Sequence, residues 1–71
     1  MKKIGICVDN YKVSRVEKEL QSENLTNYGK WPFSKDTTFI QVIVEESEYP
    51  EKTQLIKKIL TKIELHFKRG N

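Results

Sequence analysis

Leu55, Ile56, Ile59, Leu60, Ile63 and Phe67 form one unbroken apolar stripe at helical spacing. A helix with such a stripe must lay it against a second layer of structure. The stripe predicts a helix over residues 50–68. Pro50 suits its first turn, and Glu48 and Glu51 complement its positive end. Lys68 and Arg69 favour the last turn, and Gly70 fits the stop.

Two other runs supply a sheet for that helix to cover. Ile4, Ile6 and Val8 alternate with Gly5 and Cys7, which predicts a half-buried strand over 3–8. Residues 37–45, Thr-Thr-Phe-Ile-Gln-Val-Ile-Val-Glu, are apolar on both faces, as a central strand requires. Between these runs, Val13, Val16 and Leu20 are spaced for one face of a helix over about 12–23. Ser14-Arg15-Val16-Glu17 fits a capping box, with Asp9 or Asn10 available for an earlier start. Arg15 and Glu19 are placed to pair, and Asn24 suits a left-handed helix end. Residues 25–31 read as a weaker strand broken by Gly29, and residues 31–36 as a turn.

The order is strand, helix, strand, strand, helix, read as a single domain over 1–71. The expected fold class is α+β: a three-stranded antiparallel sheet in order 1-3-2 with both helices on one face. A right-handed crossover sets the second strand parallel to the first, and the third lies antiparallel between them. This is a ferredoxin-like arrangement without its last strand. Its expected core is Ile4, Ile6, Val8, Val13, Val16, Leu20, Leu25, Ile40, Val42, Val44, Ile56, Ile59, Leu60, Ile63 and Phe67.

A core this thin usually needs a staple. Cys7 is the one cysteine, so disulfides are excluded and self-association, a homodimer, is the expected device. The lone thiol points to a reducing, cytoplasmic setting. The apolar run 4–8 is too short for a signal segment, and the sequon Asn24-Leu25-Thr26 reads as chance. A net charge of +3 is too mild to argue for nucleic acid by itself.

With helices on one face, the other is bare. Alternation places Gly5, Cys7, Phe39, Gln41 and Ile43 there, with Thr26 and Tyr28 from the second strand. A patch this apolar marks a contact. It suits a second copy, another protein, or a nucleic acid stacked on Tyr28 and Phe39. Trp31-Pro32-Phe33 either folds back over the core or protrudes as an interface anchor. The candidate partner-binding residues are therefore Tyr28, Trp31, Phe33, Phe39, Gln41 and Ile43. Lys58, Lys62 and Arg69, with Leu65 among them, share one side of the last helix. They are the candidate nucleic-acid contacts, set against the ordinary role of lysines on a solvated face.

No catalytic constellation is visible. His66 is the one histidine, and no Cys-x-x-Cys or glycine-rich phosphate loop occurs. The expectation is no enzyme, cofactor, metal, small-molecule substrate or membrane partner. Asp9 supplies one alternative. An acidic residue ending the first strand, over residues 4–20, resembles the small CRISPR-associated adaptation nucleases and their toxin relatives. That resemblance implies a metal-dependent nuclease whose paired subunits bring such aspartates together. The family's later serine-valine-phenylalanine stretch is absent, since residues 25–29 read Leu-Thr-Asn-Tyr-Gly. In size and Lys/Glu-rich style the chain resembles accessory proteins of bacteriophages and mobile elements. The expected function is a small interaction module, homodimeric, that regulates or inhibits a protein partner. Nucleic-acid binding through the open face and last helix is the alternative.

Overall fold

The structure, a computed structural model, describes residues 1–69, Arg69 in its backbone alone. The stop expected at Gly70 lies outside the described residues. Strand β1 spans Lys2–Asp9, helix α1 Val13–Ser22, strand β2 Tyr28–Pro32, strand β3 Thr37–Val44 and helix α2 Tyr49–Arg69. The sheet order is β1-β3-β2, antiparallel at both pairings. The α+β arrangement expected from the pattern is thus the one formed.

The core lies between the sheet and the two helices. Ile4 and Val8 of β1, with Ile40, Val42 and Val44 of β3, are buried against Val16 and Leu20 of α1 and Ile56, Ile59 and Ile63 of α2. Leu25 closes one end, its N–H donating to the Leu20 carbonyl at 2.8 Å. Ile6, Val13, Leu60 and Phe67 pack against this core while remaining partly open. No helix among the described residues is long and apolar enough to cross a membrane.

Three local expectations are corrected. The Ser14–Glu17 capping box does not form. The chain enters α1 through a 3₁₀ turn, Asn10–Lys12, and neither Asp9 nor Lys12 makes a side-chain cap bond. Asn10 instead ties the turn to the β2–β3 connection. Its amide donates to the Lys35 carbonyl at 3.1 Å and its side-chain oxygen accepts from Thr38 Oγ1 at 2.7 Å. Second, β2 begins at Tyr28 rather than Leu25, because Asn24 adopts the left-handed conformation (φ 62°) and the chain needs further residues to re-enter the sheet. Third, β2 runs on past Trp31, the expected end of the strand, and takes in Pro32 from the expected turn.

The later start of β2 decides which side chains face which way. Tyr28 pairs with Val42 and Lys30 with Ile40, so both share the helix-covered face. Gly29 pairs with Gln41 and Trp31 with Phe39, so both lie on the open face.

Candidate functional site

The open face is a grid read from the strand register. Cys7, Phe39 and Trp31 form one row across the sheet; Gly5, Gln41 and Gly29 form the next. Lys3 and Ile43 continue it beyond the glycines, and Asp9 and Thr37 beyond the aromatics. The Phe33 N–H donates to the Thr37 carbonyl at 3.0 Å, extending the ladder past β2.

The two aromatics lean over the two glycines. A Cβ built on Gly5 would stand 2.7 Å from Phe39 Cζ, and one on Gly29 2.8 Å from Trp31 Cη2. Any larger residue at either position would push a ring off the sheet. The glycines therefore let the rings lie down as a broad surface, and the rings cover backbone that glycine would leave bare. The ring centroids are 6.2 Å apart with planes tilted by 35°. Trp31 is 50% exposed and Phe33 65%, which leaves both available to a partner. Gln41, central in the grid, offers an amide that can both donate and accept. Charge is sparse here. Lys3 stands at one end and Asp9 at the other, with the Lys12 ammonium 3.6 Å from the Asp9 carboxylate.

Five of the six partner-binding candidates therefore gather: Trp31, Phe39, Gln41 and Ile43 on the grid and Phe33 at its edge. Tyr28 does not join them, which corrects its expected place on the open face. Its hydroxyl donates to Glu17 Oε2 at 2.8 Å, across the sheet-to-α1 layer. Lys30 Nζ donates to the other oxygen of the same carboxylate at 2.8 Å. The Lys30 hydrogen bond, then that of Tyr28, holds the Glu17 carboxyl below its ordinary range. Burial, aided by the neighbouring carboxylate, raises the Tyr28 hydroxyl; the bond to Glu17 raises Lys30. Tyr28 is thus a fastener between β2 and α1. Sequence alternation missed this because it ran from Leu25, three residues before the strand begins. A carboxylate at Glu17 and a cation at Lys30 were the available signal.

The helix layer carries a different surface. A groove of about 640 Å³ is lined by Arg15, Lys57, Lys58, Lys62, Leu65 and His66, with neighbouring residues. Arg15 and Lys62 both pair with Glu19, at 3.6 and 3.2 Å. The spacing-based Arg15–Glu19 pair is therefore present. Lys58 and Lys62 come together here, while the Arg69 side chain lies outside the described residues. Leu65 is 56% exposed at the groove. This surface and the aromatic grid are on opposite sides of the sheet, so one strand of nucleic acid does not reach both. Cys7 and His66 are separated in the same way and do not form a nucleophile–base pair. Among the described residues no group of three or more His, Cys, Asp or Glu side chains is placed to hold a metal ion.

Compared with protein-family models, curated proteins and solved structures, the chain matches none.

Proposed function

We propose that the protein is a non-enzymatic binding module whose working surface is the open sheet face, and that its partner is another protein, which it regulates or inhibits by covering. The observation that carries this reading is the pair of rings laid over glycines. Glycine weakens a strand interior, and two of them opposite the central strand are a cost the fold does not need for its own core. What they give is a flat aromatic surface, flanked by Gln41 and Ile43 and bordered by Phe33. Exposed aromatic residues, Trp above all, are the usual anchors of protein interfaces. The near-neutral charge of the face favours a protein over a phosphate backbone, which asks for several unpaired cations.

The test is affinity capture with the wild type and with Trp31→Glu/Phe39→Glu, followed by calorimetry on the purified partner. The reading expects a partner held by the wild type, lost by the variant, and binding with a negative heat-capacity change. A partner that binds the variant equally well would remove the face from the account.

A second reading has one observation in its favour, the cations that line the helix-layer groove. It assigns that groove, not the sheet face, to an anionic partner such as nucleic acid. It expects oligonucleotide binding that weakens steeply with salt and is lost in Lys58→Glu/Lys62→Glu.

A further inference from the structure

The sheet ends, on the β1 side, in a strand whose outer edge no other strand pairs among the described residues. The other edge, β2, is short and carries Lys30 and Pro32, features that discourage further pairing. β1 is longer, Lys2–Asp9, and between its charged ends reads Ile-Gly-Ile-Cys-Val without a proline or an inward charge. Such an edge is a template for another strand.

The hydrogen-bond phase of β1 says which groups it offers. The Asn10 N–H donates to the Asp36 carbonyl at 2.8 Å, on the same register that pairs Val8 with Thr38 and Ile6 with Ile40. Antiparallel pairs alternate between bonded and non-bonded. The even-numbered residues of β1 are therefore spent on β3, and Lys3, Gly5, Cys7 and Asp9 turn their N–H and C=O outwards.

We propose that this edge is the interface to a second copy of the chain, antiparallel and centred on Ile6. The sequence is self-complementary about that residue. Lys3 falls opposite Asp9 of the second copy, Ile4 opposite Val8, Gly5 opposite Cys7, and Ile6 opposite itself. A two-fold dimer needs this reciprocity, and each opposite-charge pair occurs twice. The phase is also right: Lys3–Asp9 and Gly5–Cys7 are bonded pairs made of outward-facing groups. The Ile6 pair is a non-bonded one, where side chains approach most closely.

Burial fits as well. Ile4 and Val8 are 9% and 7% exposed, but Ile6 between them on the same face is only half-buried. On the α2 flank nearest β1, Leu60 is also half-buried, sharing a cleft with Cys7, Val8 and Asp9. Pairing closes the opening above Ile6 and makes one continuous sheet from two small ones. It also holds the two Asp9 carboxylates about 20 Å apart, at opposite ends of the shared edge. This dimer therefore does not gather them around a metal. The aromatic grid stays uncovered and doubled, so the edge and the face stand or fall separately.

Light scattering on size-exclusion fractions, at up to about 1 mM chain, tests the proposal. The wild type is expected at about 17 kDa, twice the 8.4 kDa chain. Lys3→Glu and Asp9→Lys should each weaken association by roughly tenfold or more, and the double exchange should restore it. Cys7→Pro removes an outward N–H without touching the β1–β3 ladder. It should run at monomer mass with unchanged circular dichroism. Ile6→Cys with Cys7→Ser should form an intermolecular disulfide on mild oxidation. A wild type at 8.4 kDa throughout overturns the proposal. So does a dimer that ignores the charge exchange and Cys7→Pro, or one that Trp31→Glu/Phe39→Glu dissociates, since that dimer stacks by its faces.

Discussion

The indole of Trp31 lies over Gly29 so closely that no side chain fits between them: a Cβ on Gly29 would be 2.8 Å from Cη2. Phe39 stands in the same relation to Gly5 on the opposite flank of β3. The surface of this protein's open face is therefore set by residues that contribute no side chain at all.

Gly29→Ala should displace the indole without unfolding the chain, because the atoms in the way are the outer edge of a surface ring. The expected cost is within about 1 kcal/mol. Trp31 is the one tryptophan, so its fluorescence reports the change directly. Emission should shift to the red and acrylamide quenching should rise. An unaltered spectrum would mean that the ring does not rest on Gly29.

Core and face should respond differently to truncation. Leu20 is 0% exposed, and Leu20→Ala should cost about 2–5 kcal/mol, enough to unfold much of a domain with so thin a core. Phe33 is 65% exposed, and Phe33→Ala should change stability by no more than about 0.5 kcal/mol. Urea midpoints decide this. Equal losses would contradict the division of labour between the two faces.

The Glu17 carboxylate should make stability depend on pH in a defined direction. Its folded value lies below the ordinary 4.5, so the folded state holds that proton less tightly than the unfolded chain. The contribution is complete above about pH 4.5 and is lost as pH falls through the folded value. The difference in urea midpoint between wild type and Glu17→Gln should be largest near neutrality and close in acid. Tyr28 and Lys30 are raised from 10.0 and 10.5, so their contributions hold below those values and fade as pH rises further. Tyr28→Phe, which removes one bond to the carboxylate, should cost about 1 kcal/mol near neutrality. A gap between wild type and Glu17→Gln that stays constant down to pH 3 would contradict the fastener role.

Charge reversal in the helix-layer groove should separate the two readings of function. Lys58→Glu/Lys62→Glu leaves the aromatic grid intact and should leave protein-partner affinity within about twofold. If the partner is instead an anionic polymer held in the groove, the same variant abolishes binding and the wild-type affinity falls steeply with added salt.

The layers and strand order of this protein are legible from its residues because each signal is one-sided and strong. The α2 stripe, the two-faced apolar run of β3 and the alternation of Ile4, Ile6 and Val8 admit few packings. Asn24 announced the end of α1 for a steric reason that needs no tertiary context. The candidate site was legible in part. Phe39, Gln41 and Ile43 follow from the phase of a long strand. Tyr28 and Trp31 do not, because β2 is short, follows an irregular loop and ends in a proline. Its phase is fixed by pairing with β3 and by the Glu17 carboxylate on another element. The capping box failed for a related reason: Glu17 is drawn to Tyr28 and Lys30, and the backbone begins its turn earlier, at Asn10. The two glycines read as weak points in strands. Their role as seats for aromatic rings appears only once the register places Phe39 and Trp31 beside them.

The central claim is that a partner protein covers the aromatic face, and Trp31 reports on it directly. The decisive measurement is the emission and acrylamide quenching of Trp31 as the captured partner is titrated to saturation. The account predicts a blue shift and a marked loss of quenching; Trp31→Glu/Phe39→Glu, which lacks this reporter, is followed by calorimetry at the same concentration and should show no binding heat. Saturated binding that leaves Trp31 emission and quenching unchanged would place the partner elsewhere and contradict the account.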